Sequence, residues 1–116
     1  MTTMYGIANC DTIKKAKKWL EQHNIAFTFH DYKKLGADAE VLAQAIDASS
    51  LDTVVNKRGT TYRKLSDEQK ANITPENATE LLIEHSSMIK RPIIKSENGI
   101  IVGFNESQYK EFFNIV

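Results

Sequence analysis

The sequence predicts an α/β fold with the outline β-α-β, a helical insertion, and then β-β-α. Three observations favour this class: short β-prone runs near both ends, a strand–helix–strand pattern in about the first 30 residues, and helical periodicity through the middle. A chain of 116 residues has room for one hydrophobic core and not for two. We therefore expect a single domain over 1–116, with its core in 1–33 and 87–116 and the helical insertion in 34–86.

The N-terminal unit is expected to contain a strand over 3–7, a turn over 8–11, a helix from 12 to 23 and a strand over 26–32. In the helix, Ile13, Ala16 and Leu20 recur at the spacing of one buried face. Asp11 or Thr12 is the expected N-cap. A helix between two strands within about 30 residues favours a parallel strand pair.

The middle of the chain is predicted to be helical and the end to return to strands. The expected elements are helices over 38–48, 67–72 and 75–85, a short helical or irregular piece over 51–55, a basic loop over 56–64, strands over 88–95 and 100–102, and a last helix capped by Asn105. Asn98-Gly99 between the two strands is a typical hairpin turn. The final helix completes the β-β-α half of the outline.

Composition excludes several classes of protein. Apolar residues are 41% and charged residues 26%, and Gly (5) and Pro (2) are few, so collagen-like and long disordered chains are excluded. No apolar run is long enough to span a bilayer, and the first residues lack the features of a signal peptide. The single cysteine allows no intrachain disulfide. We expect a cytoplasmic protein without a membrane partner.

The net charge of zero conceals blocks of opposite sign. Residues 36–55 carry four acidic and no basic residues, and residues 56–64 carry four basic and no acidic ones. Such a chain is not a general polyanion binder, so no direct nucleic-acid partner is expected. Its neutral net charge and complete fold outline favour a monomer. The blocks are either solvated faces or basic segments that converge on one anion site.

Cys10 is the first candidate for chemistry, because it lies where the first strand passes into the first helix. The amides of Asp11, Thr12 and Ile13 and the charge of Lys14 would stabilise its thiolate, which is the nucleophilic form. The alternative is an inert buried cysteine. Three scattered histidines show no metal-ligand spacing, so no metal site is expected.

Arg91 is the second candidate, since it precedes Pro92 just before the predicted hairpin. A guanidinium at that position can bind a carboxylate or another oxyanion through two hydrogen bonds. The alternative is an ordinary surface arginine beside an edge strand.

Four segments in order carry a resemblance to a known family. They are 7–16 (Ile-Ala-Asn-Cys-Asp-Thr-Ile-Lys-Lys-Ala), 56–65 (Asn-Lys-Arg-Gly-Thr-Thr-Tyr-Arg-Lys-Leu), 89–93 (Ile-Lys-Arg-Pro-Ile) and 102–106 (Val-Gly-Phe-Asn-Glu). Together they resemble the arsenate reductase / Spx family, and most closely its YffB-like branch. The resemblance implies a thioredoxin-like fold with a mixed four-stranded sheet, a cytoplasmic location and a cis-proline at Pro92.

Positions where this sequence departs from the family pattern help to distinguish between the functions found in the family. Of the three arginines that hold the oxyanion in arsenate reductases, Arg91 matches one, and the other two positions fall on Asn56 and Gly103. Efficient arsenate reduction is therefore not expected. Ile13 stands where Spx-type regulators carry the second cysteine of a Cys-x-x-Cys switch, although binding to RNA polymerase stays open.

The favoured hypothesis is a thiol reductase with glutathione as co-substrate and no tightly bound cofactor. Cys10 would form a mixed disulfide, which a second thiol from solution, glutathione or a glutaredoxin, would resolve. Asn9, Lys57, Arg58 and Pro92 are the expected substrate or glutathione contacts. The alternatives are a regulator that binds RNA polymerase and a true arsenate reductase.

Overall fold

The computed structural model describes residues 2–8 and 10–115 of the chain and shows a mixed four-stranded sheet. The strands are β1 (Thr3–Gly6), β2 (Thr28–Asp31), β3 (Ile93–Ser96) and β4 (Gly99–Val102), in the spatial order β2-β1-β3-β4. β1 is parallel to β2 and antiparallel to β3, and β3 forms a hairpin with β4. The predicted α/β class and the thioredoxin-like outline are confirmed.

Eight helices surround the sheet in the described residues. They are α1 (Asp11–Gln22), α2 (Tyr32–Leu35), α3 (Ala39–Ala48), α4 (Leu51–Val54), α5 (Thr60–Arg63), α6 (Asp67–Ala71), α7 (Pro75–Glu84) and α8 (Glu106–Phe112), with a 3₁₀ turn over Ser86–Met88. None of them has the length and apolar character needed to cross a bilayer. The division into a core and an insertion at residues 34 and 86 stays a prediction.

Two apolar clusters cover the two faces of the sheet. Met4 and Ile94 contribute to the cluster beneath α1 and α8, whereas Ile93, next to Ile94, contributes to the cluster beneath α3, α4 and α7. This alternation follows from the two-residue period of a strand. The sheet is thus buried on both faces, and only its edges and ends are left for chemistry.

Aromatic rings fix α1 and α8 to each other. Tyr109 on α8 is fully buried, and its ring meets Trp19 of α1 edge-on at 5.3 Å between centroids. Phe104 meets the same tyrosine edge-on at 5.1 Å. Edge-to-face pairs of this kind add about 0.5–1.5 kcal/mol beyond area burial, so α1 is held firmly on the sheet.

Five local expectations are corrected by the structure. Cys10, and not Asp11 or Thr12, is the N-cap of α1. The predicted loop over 56–64 contains α5, and strand β3 begins only at Ile93 because the chain before it forms the 3₁₀ turn and an isolated bridge. The predicted strand over 26–32 is shorter, and its last residue starts α2 instead. In the β3–β4 hairpin, Gly99 has a positive φ of 123° but Asn98 does not, so the Asn-Gly turn differs from the expected geometry.

Candidate functional site

The candidate site lies at one end of the sheet, where several segments of the chain emerge together. The register pairs Gly6 with Asp31 in the parallel pair and Tyr5 with Ile93 in the antiparallel pair. The segments that follow β1 and β2 and the segment that precedes β3 therefore meet at the same edge. Each segment carries one residue of interest: Cys10, Tyr32 and Arg91.

Cys10 stands at the start of α1 with an extended backbone (φ −144°, ψ 126°), and its carbonyl accepts the first helical hydrogen bond from the amide of Lys14 at 3.0 Å. Cys10 is half-buried and packs against the cluster beneath α1, so the residue is not fully enclosed in the core. The sulfur accepts no capping hydrogen bond. The expected position at a helix N-terminus is confirmed, but the thiol does not bond to the first-turn amides as the structure stands.

The other predicted thiolate-stabilising residues flank Cys10 on α1 and differ in exposure. Ile13 is fully buried, where it packs beneath Gly6 of β1, so only its amide can contribute. Lys14 and Asp11 are exposed, and Thr12 is half-buried. Asn9, a predicted substrate contact, lies outside the described residues.

Tyr32 is placed at this edge by a local capping arrangement. The carboxylate of Asp31 accepts a hydrogen bond from the amide of Lys33 at 3.0 Å, which starts α2 directly after β2. Gly36 ends the helix with a φ of 83°, and its amide donates to the carbonyl of Tyr32 at 2.9 Å. The Tyr32 side chain is thereby directed inward and is only 4% exposed.

Cys10, Tyr32 and Arg91 form one electrostatic group. Burial strongly raises the pKa of the Tyr32 phenol; the guanidinium of Arg91 partly opposes this rise, and the charge of the Cys10 thiolate adds to it. Arg91 is itself half-buried. The two strongest sequence candidates, Cys10 and Arg91, thus both act on the phenol of the buried Tyr32.

The Arg91–Pro92 peptide bond is cis, which is the isomer that the resemblance implied. Pro92 is fully buried, and its carbonyl accepts a hydrogen bond from the amide of Gly103 at 2.8 Å. The hydroxyl of Tyr109 in turn donates to the carbonyl of Gly103. The carbonyl of Pro92 is therefore already occupied, and proline has no N–H to donate. An extended ligand would have to pair with the backbone of Arg91 instead.

Lys57 and Arg58 are held in a separate basic cavity. The bridge between Val55 and Ile89 ties this part of the chain to the segment just before Arg91. A cavity of about 370 Å³ results, and its lining includes Lys57, Arg58 and Lys90 but not Cys10 or Arg91. Lys57 pairs with Asp52 at 2.6 Å, and this hydrogen bond raises the pKa of the lysine. Lys57 and Arg58 thus line a cavity next to the candidate site, and Cys10 is not part of that cavity's lining.

Sequence reasoning missed Tyr32, because it treated the residue as the end of a strand. The signal was present, however. Ligand sites in open α/β sheets gather beyond the carboxyl ends of parallel strands, and Tyr32 directly follows the second such strand. Among the described residues, no group of three or more metal-ligating side chains is found.

Comparison with known proteins identifies the family. The sequence model of the ArsC family matches residues 5–112, which is nearly the whole chain. This chain belongs to the ArsC family. The resemblance drawn from the four motifs is thereby confirmed.

Curated relatives include both an unassigned protein and a regulator. An uncharacterized protein of Haemophilus influenzae is 45% identical over 113 residues, which cover 97% of this chain and 99% of that protein. The global transcriptional regulator Spx 1 of Oceanobacillus iheyensis is 31% identical over 116 residues, which cover 97% of this chain and 86% of that protein. The family thus places this chain among proteins that are either thiol reductase-like or Spx-like.

Solved structures agree with the fold over its full length. The YffB protein has a TM-score of 0.86 at 43% identity, covering 96% of this chain and 97% of that one. An arsenate reductase-related protein from Brucella melitensis has a TM-score of 0.73 at 44% identity, covering 98% and 95%. The arsenate reductase from Vibrio cholerae is only 17% identical, so its TM-score of 0.75, over 99% of this chain and 97% of that one, is evidence for a shared fold alone.

Proposed function

We propose that this ArsC-family protein is a glutathione-dependent thiol reductase with Cys10 as its nucleophile. The observation that carries the proposal is the placement of Cys10: a half-buried thiol at the start of α1 shares one sheet edge with Arg91 and Tyr32. A sulfur enclosed in the core would have no access to a disulfide substrate. A sulfur far from any anion-binding group would have no means of orienting a charged thiol.

Cys10 lies in the positive field at the start of α1. Helix α1 is 12 residues long, and its dipole places partial positive charge at the end where the sulfur lies. The exposed ammonium of Lys14, one turn along, adds to this field. Asp11, which is exposed in the same turn, opposes this field.

The proposed reaction consists of two thiol–disulfide exchanges. The Cys10 thiolate attacks the glutathione sulfur of a mixed disulfide RSSG; a Cys10–glutathione disulfide forms, and the thiolate RS⁻ leaves and takes a proton from solvent. The thiolate of a second glutathione then attacks the glutathione sulfur held on Cys10, which releases GSSG and restores the Cys10 thiolate. The net change is RSSG + GSH → RSH + GSSG, and the two electrons come from glutathione.

The remaining predicted residues have supporting roles in this proposal. Arg91 binds an anionic group of glutathione, and its backbone pairs with the extended peptide. Arg58 contributes positive charge from the neighbouring cavity, whereas the charge of Lys57 is offset by its ion pair with Asp52. The protein would act as a monomer in the reducing cytoplasm, without a tightly bound cofactor, and a glutaredoxin thiol is the alternative to glutathione in the second exchange.

The proposal is tested by comparing the rate of glutathionylation in the folded and urea-denatured protein. Because Cys10 is the only cysteine, the adduct measured by intact mass after exposure to GSSG reports on this residue alone. We expect adduct formation in the folded protein to exceed that in the denatured chain by about tenfold or more at pH 7. We also expect turnover of a glutathionylated peptide with GSH, measured by coupled release of GSSG. Slower reaction in the folded state, or no turnover, would overturn the proposal.

A second candidate function is regulation through RNA polymerase, since Spx 1 of Oceanobacillus iheyensis is 31% identical over most of both chains. The exposed lysines of α1, Lys14, Lys15 and Lys18, offer a surface that does not require the thiol. Binding of purified bacterial RNA polymerase to immobilised wild-type protein and to Cys10→Ser distinguishes the two functions. Equal, saturable binding by both forms supports the regulator, and no binding by either form rejects it.

A further inference from the structure

Tyr32 carries a buried hydroxyl that lacks a partner. Within residues 2–8 and 10–115, its oxygen is the only buried side-chain N or O atom that makes no hydrogen bond. Tyr32 as a whole is only 4% exposed. An unpaired buried hydroxyl is costly, typically by about as much as the hydrogen bond it fails to make, so such a group in a folded protein requires an explanation.

The neighbours of this hydroxyl show which partner it lacks. Tyr32 directly follows β2 and Arg91 precedes β3, so the register of the strands puts both residues at the same end of the sheet as Cys10. The charge of Arg91 lowers the pKa of the phenol and that of Cys10 raises it, but neither side chain makes a hydrogen bond to the hydroxyl. A guanidinium only donates hydrogen bonds, so it can satisfy a lone pair of the phenol oxygen but never its proton. The Tyr32 O–H therefore needs an acceptor, and no residue in the described part of the chain supplies one.

We infer that Tyr32 and Arg91 together bind a carboxylate of the glutathione moiety next to Cys10, with the Tyr32 hydroxyl donating one hydrogen bond to it. The inference rests on the proposed glutathione-linked reaction and extends it to a binding residue that the sequence did not reveal. Three properties of the site fit a carboxylate. It contains a fork of guanidinium donors, it contains a further O–H donor without an acceptor, and no acidic residue was found to occupy it.

An acceptor with negative charge suits this position better than a neutral one. Arg91 is half-buried, and no ion pair of its side chain with a described acidic residue is found, so an incoming anion would neutralise its charge. Hydrogen bonds to a charged acceptor are about twice as strong as neutral ones, which repays the burial of the phenol. An inorganic oxyanion has the same acceptor chemistry, so the experiment must separate the two sources.

Two matched variants make the test specific, because the protein contains two buried tyrosines in opposite situations. Tyr32→Phe removes a hydroxyl without a partner, so the urea midpoint should stay the same or rise. Tyr109→Phe removes a hydroxyl that donates to the carbonyl of Gly103, so the midpoint should fall while ligand binding is retained. The first variant is thus expected to lose binding without losing stability.

Binding is measured by titration calorimetry with S-methylglutathione, which cannot undergo disulfide exchange, and with its diethyl ester, which lacks both carboxylates. For S-methylglutathione we expect Tyr32→Phe to weaken binding by about tenfold, the effect of one hydrogen bond to a charged group. For the diester we expect weak binding that differs less than twofold between wild type and Tyr32→Phe. Tyr109→Phe should match the wild type with both ligands.

Each other outcome overturns the inference. Equal affinity of wild type and Tyr32→Phe for S-methylglutathione shows that the hydroxyl does not contact the ligand. Absence of wild-type binding removes the site, and inorganic phosphate that displaces S-methylglutathione at equal or lower concentration assigns the site to an inorganic oxyanion instead.

Turnover separates this inference from the proposed function. With a glutathionylated peptide, Tyr32→Phe should raise KM about tenfold and leave kcat within about twofold, because the hydroxyl binds a part of the substrate that does not react. A wild-type protein that binds S-methylglutathione in a Tyr32-dependent way but turns over no disulfide would refute the reductase and retain the carboxylate site. Tyr32-independent turnover would do the reverse.

Discussion

Tyr109→Phe tests how much the hydrogen bond from α8 to the buried carbonyl of Gly103 contributes to stability. The Tyr109 hydroxyl donates to the carbonyl of Gly103, and the amide of Gly103 donates to the carbonyl of Pro92. Gly103 is buried, so removal of the hydroxyl leaves its carbonyl without this donor. The ring, with its edge-on contacts to Trp19 and Phe104, is unchanged by the substitution.

The expected loss of stability follows from that single hydrogen bond. A buried acceptor left without its donor costs about 1–3 kcal/mol, which for a domain of this size lowers the melting temperature by about 4 °C per kcal/mol. Urea denaturation followed by tryptophan fluorescence measures the change, and the m-value should stay constant. Tyr32→Phe is the matched control, for which we expect no loss.

The reasoning is refuted if Tyr109→Phe loses less than about 0.5 kcal/mol, or if both variants lose the same amount. The first result would show that the bond to Gly103 contributes little. The second would show that burial of the two hydroxyls, and not their hydrogen bonding, determines the effect.

Three further predictions concern stability. Burial raises the pKa of the Tyr32 and Tyr109 phenols above the unfolded value of about 10. The stability that these neutral phenols contribute should therefore be complete below pH 10 and fall above it, by up to about tenfold in the folding equilibrium per pH unit for each phenol. Urea midpoints at pH 8, 10 and 11 measure this fall, and a flat profile would contradict it. Gly103→Ala should lower the free energy of unfolding, measured by urea denaturation, by about 1–2 kcal/mol, because φ is 85° at this position. The added Cβ itself would make only an ordinary contact, 3.7 Å from the Lys90 side chain. An unchanged free energy would show that the backbone relaxes. Leu82→Ala should cost about 2–5 kcal/mol by the same measurement, since Leu82 is fully buried in the cluster beneath α3, α4 and α7. A loss below about 1 kcal/mol would show that the cluster collapses around the cavity.

Local patterns predicted most of the elements. The spacing of Ile13, Ala16 and Leu20 located α1 and its buried face, and Asn105 caps the last helix as expected. These features depend on residues within a few positions of each other, where helical geometry and capping hydrogen bonds act. The predicted N-cap of α1 was wrong. Cys10 occupies that position without a side-chain capping hydrogen bond, so the usual preference for capping residues did not indicate it.

The sequence by itself determined the class of the fold, the position of Cys10 at the start of a helix and the arginine before Pro92, since each is written in neighbouring residues. Only the tertiary structure decided that Tyr32 is buried beside Cys10 and Arg91, and that Lys57 pairs with Asp52 and lines a separate cavity with Lys90. Those contacts join segments from both ends and the middle of the chain. They arise when the sheet brings its strand ends to a common edge, so no local window of sequence contains them.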